Sequence, residues 1–412
     1  MYTLRMKHPL YIVGLYPGSL EPPVAASGII SGADVLSGGK RLLESFPEFS
    51  GEVLPFVSPL SDYARELQKR IDAGKRVVLL ADGDPCMFGV GRSLLPLMGA
   101  DNVRIIPSPS AVQIGASRLG LSQGELEILS LHGRSDFSPL YAALQRGRDC
   151  AIYTDRVNDP ESIACRLLEK GVDNYSMSVL EELGTDSEKI TRGTLESFSG
   201  FRCADLNIVI LTRTGDDGPL RLFGREEESF VRSNGLITKL PARATGLALM
   251  DLRRGQTVWD LGAGCGSVSV EGSFLAGDSR FFAVEKDPGR IEMIRENIGR
   301  FRAWTVEPVS GTMPDVLKGL PDPDRIFMGG GIGRDDSVIR EASRRLKPGG
   351  RMVVHAILMG SIQRTRDTFD SLGWDWQAVQ LQSSVSESLV GDIRFRAHNP
   401  VTVIWADKPA GS

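Results

Sequence analysis

The sequence predicts an α/β chain made of two unrelated α/β halves, and three observations carry this. A continuous apolar run at residues 77–81 has the character of a strand covered on both faces of a parallel sheet, and residues 258–261 read as a short buried strand. Turns rich in glycine and proline follow such runs, as in Gly83-Asp84-Pro85 and Gly262-Ala263-Gly264. A polar, turn-rich segment at residues 212–219 then separates two series of units that share no internal repeat.

A chain of 412 residues is long enough for two or three domains. With 24% charged and 41% hydrophobic residues, its composition is that of a globular protein. The net charge of −4 supplies no basic field for nucleic acid. No apolar run reaches the length of a membrane span, and the first residues lack a signal-peptide pattern. Five cysteines without a Cys-x-x-Cys pair argue against a disulfide framework, so a reduced, cytoplasmic setting and no metal site are expected.

The C-terminal half is organised around one stretch. Residues 258–261 form a strand, Gly262 to Gly266 a glycine turn and residues 267–276 a helix. The spacing is Gly-x-Gly-x-Gly, with Ser267 where a dinucleotide turn places its third glycine. A second strand, 281–284, ends on Glu285, about 20 residues on, where an acid can accept hydrogen bonds from ribose hydroxyls. This order resembles the S-adenosylmethionine site of the class I methyltransferases. The resemblance assigns cofactor binding to Asp260, Gly262, Ala263, Gly264, Cys265, Gly266 and Glu285, joined by Thr238, Gly311 and Met313. It also implies a Rossmann-like fold for residues 235–412. After the strand at 325–328 stand glycines, Gly329 to Gly331 and Gly333, instead of the Asp/Asn-Pro-Pro-Tyr group of base-methylating enzymes.

In the N-terminal half, strands are expected at 10–15, 33–36, 77–81, 103–106, 128–131, 151–155, 176–183 and 207–211, with helices between several of them. Tyr63, Leu67 and Ile71 mark an amphipathic helix over 61–73. The entry turn Gly14-Leu15-Tyr16-Pro17-Gly18 and the loop Gly83-Asp84-Pro85 resemble those of the tetrapyrrole (class III) methyltransferases, with Tyr16 in place of a glycine. The resemblance implies two α/β subdomains across residues 1–212. It places S-adenosylmethionine against Gly14, Pro17, Gly18, Gly83, Asp84 and Pro85. Residues 213–234, with the acidic run Glu226 to Glu228, have the composition of a solvated linker.

The whole chain is similar to the bifunctional corrin-precursor methyltransferases of the cobalamin pathway. Ser130-Leu131-His132-Gly133-Arg134, Gly235-Leu236-Ile237-Thr238-Lys239, Glu285-Lys286-Asp287-Pro288 and Asn399-Pro400-Val401-Thr402 carry the likeness in order, while Gly360 replaces an acid common in relatives. It implies methylation of carbons 5 and 15 and loss of carbon dioxide from the carbon 12 acetate. By the same analogy the N-terminal half serves carbon 5 and the C-terminal half serves carbon 15 and the decarboxylation. One S-adenosylmethionine per half, an anionic tetrapyrrole substrate, no nucleic-acid or membrane partner and a homo-oligomer are expected. No catalytic triad is visible. The proton carriers to consider are His132 and His355, and the cations for substrate carboxylates are Lys239, Arg243, Arg334, Arg394 and Arg396. The alternatives are another small-molecule or RNA methyltransferase, a dinucleotide oxidoreductase, and a scaffold in which one half binds cofactor without catalysis.

Overall fold

The computed structural model describes residues 8–215, 221–233, 235–333 and 335–411. They fall into two compact units. Unit 1 comprises Met1–Ser135, Asp149–Cys165 and Tyr175–Thr212, and unit 2 comprises Asp136–Arg148, Arg166–Asn174 and Arg213–Ser412.

Unit 1 holds two five-stranded sheets. The first contains β1 (Leu10–Leu15), β2 (Val35–Gly38), β3 (Glu52–Pro55), β4 (Val77–Asp82) and β5 (Val103–Ile106), ordered β3-β2-β4-β1-β5 and parallel throughout. Its inner strands β1 and β4 are mostly apolar and buried because both faces are covered. Leu10, Ile12, Val77 and Leu79 pack against Tyr63, Leu67 and Ile71 of the helix Leu60–Asp72, and Val13, Leu15, Val78 and Leu80 fill the opposite face. The second sheet contains β6 (Leu126–Ser130), β7 (Asp149–Tyr153), β8 (Tyr175–Glu181), β9 (Lys189–Thr194) and β10 (Asn207–Arg213), ordered β6-β7-β10-β8-β9. Here β6 and β7 are parallel, while β7/β10 and β8/β9 are antiparallel.

Unit 2 is built on a seven-stranded sheet. Its parallel part runs through β11 (Thr257–Leu261), β12 (Arg280–Glu285), β13 (Val306–Ser310), β14 (Arg325–Met328) and β15 (Arg351–Ala356). Next come β16 (Trp376–Leu381), a separate hairpin of β17 (Ser384–Leu389) and β18 (Asp392–Ala397), and β19 (Val401–Asp407). The order β13-β12-β11-β14-β15-β19-β16 ends with β19 antiparallel to both neighbours. After β13 the chain returns to the other side of β11 to make β14. Connections therefore diverge at the carboxyl ends of β11 and β14, which opens a crevice there. Alternate residues again serve opposite faces: Val258, Phe281, Phe327 and Val353 on one, Trp259, Phe282, Ile326 and Met352 on the other.

Several sequence expectations need correction. The second strand of unit 1 starts at Val35, two residues late, and β3 and β9 were not anticipated. β9, with the sequence Lys-Ile-Thr-Arg-Gly-Thr, lies at a sheet edge and lacks an apolar run to announce it. The helix Val90–Met98 was hidden by Pro96 inside it. β10 continues to Arg213, into the expected linker, of which residues 216–220 and 234 lie outside the described residues. The remainder of that segment is only partly solvated, with Arg225 and Phe230 buried. Phe230 is 3% exposed and joins the core of unit 2, its ring 4.7 Å from that of Phe301. Burying such a ring stabilises by about 1.5–3 kcal/mol, which outweighs the polarity of the acidic run beside it.

Candidate active sites

In unit 2, β11 stops at Gly262, where φ is +72° and a Cβ would stand 2.8 Å from the Gly330 backbone at the end of β14. The Gly262 and Ala263 amides both donate to the Val284 carbonyl at 3.0 Å, tying the turn to β12. Gly264 also has a positive φ, +60°, but a Cβ there would meet no atom within 4 Å because it faces open space. Gly266 (φ +79°) then opens the helix Ser267–Ala276. Glu285, at the end of β12, is 5% exposed and gathers three amides. Oε2 accepts from Gly264 at 3.0 Å, and Oε1 accepts from Lys286 at 2.9 Å and Asp287 at 3.1 Å. Arg290 Nη1 lies 3.7 Å from Oε2. Asp260 is buried beneath the turn and accepts from the Ser269 amide and hydroxyl at 3.1 and 2.6 Å; burial pushes its pKa up to about 6 against the pull of those bonds.

The glycine turn and Arg290 border a cleft of about 530 Å³. Of the residues expected from sequence, Thr238, Lys239, Gly262, Ala263, Gly264 and Cys265 line it. Asp260, Gly266, Glu285, Gly311 and Met313 are not lining residues. The Gly311 amide donates to the Glu285 carbonyl at 3.0 Å, and Met313 packs on the core. His355 lines the cleft at the end of β15. Its ring is 4.6 Å from that of Phe327, edge on, and a Cβ on Gly246 would come within 2.6 Å of Nε2, so only glycine leaves room there. Nε2 has no hydrogen-bond partner, and burial lowers the imidazole pKa to about 4, which keeps the ring neutral at pH 7.

The expected substrate cations separate. Lys239 lines the cleft, half-buried, with Nζ 2.7 Å from Glu227. Arg243 does not face substrate at all. It is fully buried, with Nε 2.7 Å from Glu271 and further bonds to the Thr238 and Arg225 carbonyls. A buried guanidinium demands such partners, which makes Arg243 part of the core. Arg394 and Arg396 lie on β18 outside the cleft lining, both paired with Glu387, and Arg334 lies outside the described residues. Sequence reasoning missed Arg290, one turn into the helix after Glu285, and His398, whose Nδ1 is 3.2 Å from Ser383 Oγ. The Asn399-Pro400-Val401-Thr402 stretch beside His398 was the available signal.

Unit 1 holds a second cleft, of about 880 Å³, at the carboxyl ends of strands from both of its sheets. Pro17, Gly18, Gly83 and Asp84 line it, together with Arg41, His132, Arg134 and Arg156, whereas Gly14 and Pro85 do not. Gly14 is needed for close packing: a Cβ there would sit 2.0 Å from the Gly83 carbonyl oxygen. The Gly83 amide donates to the Leu15 carbonyl at 2.9 Å, joining the loop after β4 to the end of β1. Tyr16 is 41% exposed and is not a lining residue, so its ring does not fill the cleft.

Residues 9–199 match the family described as Tetrapyrrole (Corrin/Porphyrin) Methylases, and residues 229–408 match the Precorrin methyltransferase domain. A Sinorhizobium sp. protein named Precorrin-6Y C(5,15)-methyltransferase (decarboxylating) is 33% identical over 335 residues, covering 81% of this chain and 80% of the relative. The chain belongs to the precorrin-6Y C(5,15)-methyltransferase (decarboxylating) family. Two shorter relatives each span less than half of this precorrin-6Y methyltransferase chain. A probable cobalt-precorrin-6B C(15)-methyltransferase (decarboxylating) of Sulfolobus acidocaldarius is 30% identical over 192 residues, covering 46% of this chain and all of its own length. A cobalt-precorrin-7 C(5)-methyltransferase of Salmonella typhimurium is 34% identical over 183 residues, covering 44% of this chain and 88% of its own. Among the described residues no helix is long and apolar enough to cross a membrane.

Proposed function

We propose that this chain transfers methyl groups from S-adenosylmethionine to carbons 5 and 15 of a precorrin-6Y-type corrin precursor and removes carbon dioxide from its carbon 12 acetate. The observation that carries this is the 33% identity to a precorrin-6Y C(5,15)-methyltransferase (decarboxylating) across four-fifths of both chains. Unit 1 serves carbon 5, and unit 2 serves carbon 15 and the decarboxylation. Relatives that carry the C(5) and C(15) activities on separate, half-length chains support this division.

Each unit binds one S-adenosylmethionine. In unit 2 the support is the empty space over Gly264, the only direction in which a Cβ would extend, together with the carboxylate of Glu285 held at the end of β12. When bound, S-adenosylmethionine supplies an electrophilic methyl group on a sulfonium. The protein's residues then have an alignment task, which can lower a barrier by as much as about 7–11 kcal/mol. Lys239 and Arg290 hold substrate carboxylates at the unit 2 cleft, and Arg41 and Arg134 do so at the unit 1 cleft. Leu236, Ile237, Ile357, Leu381 and Val401 give the unit 2 cleft an apolar wall, and a carboxylate stripped of water there is destabilised relative to carbon dioxide.

The test is incubation of the full chain with S-adenosylmethionine and a precorrin-6Y substrate, followed by mass spectrometry of the corrinoid. The expected product has gained two methyl groups and lost one carbon dioxide. A corrinoid that gained no methyl group would refute the reading.

A further inference from the structure

The turn that follows β6 is fastened on every side. The Leu131 amide donates to the Tyr153 carbonyl at 2.9 Å, and the Arg134 amide donates to the Leu131 carbonyl at 3.1 Å. Asn158, 3% exposed, sends its side-chain amide to the Leu131 and Arg134 carbonyls at 2.7 and 2.8 Å. Asp155 Oδ2 accepts from the Gly133 amide at 2.6 Å, and Oδ1 accepts from Asn158 at 2.6 Å and Val157 at 2.8 Å. This scaffold holds the His132 ring on the cleft wall, with Nδ1 3.2 Å from the Thr154 carbonyl oxygen. A carbonyl can only accept, so Nδ1 carries the hydrogen and the neutral ring has its lone pair on Nε2. Nε2 has no protein partner among the described residues.

We propose that His132 Nε2 is the base that removes the proton from the carbon methylated in unit 1. This rests on the carbon 5 assignment above. The meso carbon bonds to the methyl group as the methyl–sulfur bond breaks, and that electron pair leaves with sulfur as a neutral thioether. The carbon then bears both hydrogen and methyl, with the positive charge spread over the conjugated ring. Its C–H bond breaks, the pair restores the conjugation, and the proton passes to Nε2 to give an imidazolium.

Proton accounting shows why unit 1 needs such a group. At carbon 15 the ring releases one proton while the decarboxylated acetate carbon takes one up, so that pair of reactions is proton-neutral. Carbon 5 methylation releases a proton with no internal taker. His132 is the one histidine lining this cleft, and it is exposed, so the imidazolium can discharge to water. Three of the carboxylates on this cleft, Asp155, Asp82 and Asp84, are already engaged. Both oxygens of Asp155 are occupied, and the amides of Asn158 and Gly133 hold its carboxyl below the usual range. Asp82 is paired with Arg41, and Asp84 Oδ1 accepts from the Cys86 amide at 2.8 Å.

The test uses the full chain with His132→Ala and His132→Gln, on substrate carrying hydrogen or deuterium at carbon 5. Carbon 5 methylation should fall about 10²–10⁴-fold, the range for loss of one general base. Added imidazole should restore part of it in His132→Ala, and a primary isotope effect should appear as proton loss becomes rate-limiting. Melting temperature and S-adenosylmethionine binding by calorimetry should stay at wild-type values in both variants. Carbon 5 methylation within threefold of wild type would overturn the proposal, as would a loss that shows neither imidazole rescue nor an isotope effect. If the wild-type chain itself placed no methyl on carbon 5, the assignment of function would fail instead.

Discussion

The Gly264 amide donates to Glu285 Oε2 at 3.0 Å, so the glycine turn after β11 is locked to the acid that ends β12. One carboxylate thereby shapes the turn, and the proposed cofactor site makes its role testable. Glu285→Ala should weaken S-adenosylmethionine binding by about 1.5–3 kcal/mol, the range for hydrogen bonds to charged groups. Calorimetry on the full chain should show one site weakened and one unchanged. Two unchanged sites would separate Glu285 from the cofactor.

Gly262 and Gly264 both have positive φ but different surroundings. Gly262→Ala drives a Cβ to 2.8 Å from the Gly330 backbone and should destabilise unit 2. Gly264→Val places its branches in open space and should cost about 1–3 kcal/mol of backbone strain while blocking the cofactor site. Comparing melting temperature with S-adenosylmethionine affinity distinguishes them. Equal loss of affinity per unit of stability lost would contradict the distinction.

Arg243 and Lys239 are predicted to part company in the same way. Arg243→Met strands Glu271, which is itself fully buried, and should cost about 3–5 kcal/mol by denaturant unfolding. Lys239→Ala should leave stability within about 1 kcal/mol, since its pair with Glu227 is half-open to water, and should raise KM for the polycarboxylate substrate. A rise in KM for Arg243→Met without loss of stability would return that residue to the substrate site.

His355 should make stability depend on pH. Its folded pKa is about 4 against an ordinary value of 6.5, so the unfolded chain takes up the proton first as pH falls. Stability is full above about pH 6.5 and declines toward pH 4, by roughly 3 kcal/mol at 1.36 kcal/mol per pKa unit. Asp260 titrates in the same window with opposite sign, because its folded pKa is raised to about 6, so the contribution must be isolated by substitution. Relative to His355→Leu, wild type should be favoured more at pH 7.5 than at pH 4.5 in urea unfolding. A difference independent of pH would mean that the ring is hydrated.

The order strand, glycine turn, helix, strand and acid was legible because local backbone needs dictate residue type. Gly262, Gly264 and Gly266 must adopt positive φ, and β11 must be apolar on both faces. Edge elements were illegible for the converse reason. β9 and β16 to β18 are short and largely exposed, so no periodic burial marks their sequence.

By itself, the sequence determined the α/β fold class, the family resemblance and the loops where cofactor is expected, since each depends on spacing along the chain. Only the tertiary structure decided which charges are free to act. Arg243 and Lys239 are four residues apart and equally basic on paper, yet one is spent on Glu271 inside the core while the other reaches the cleft. His132 and His355 are likewise both single histidines in sequence. The Thr154 carbonyl directs the lone pair of one to Nε2, and the tight fit of Phe327 and Gly246 dries the other. Burial and hydrogen-bond partners come from residues distant in the chain, so the charge state and the direction of a side chain are properties of the folded molecule.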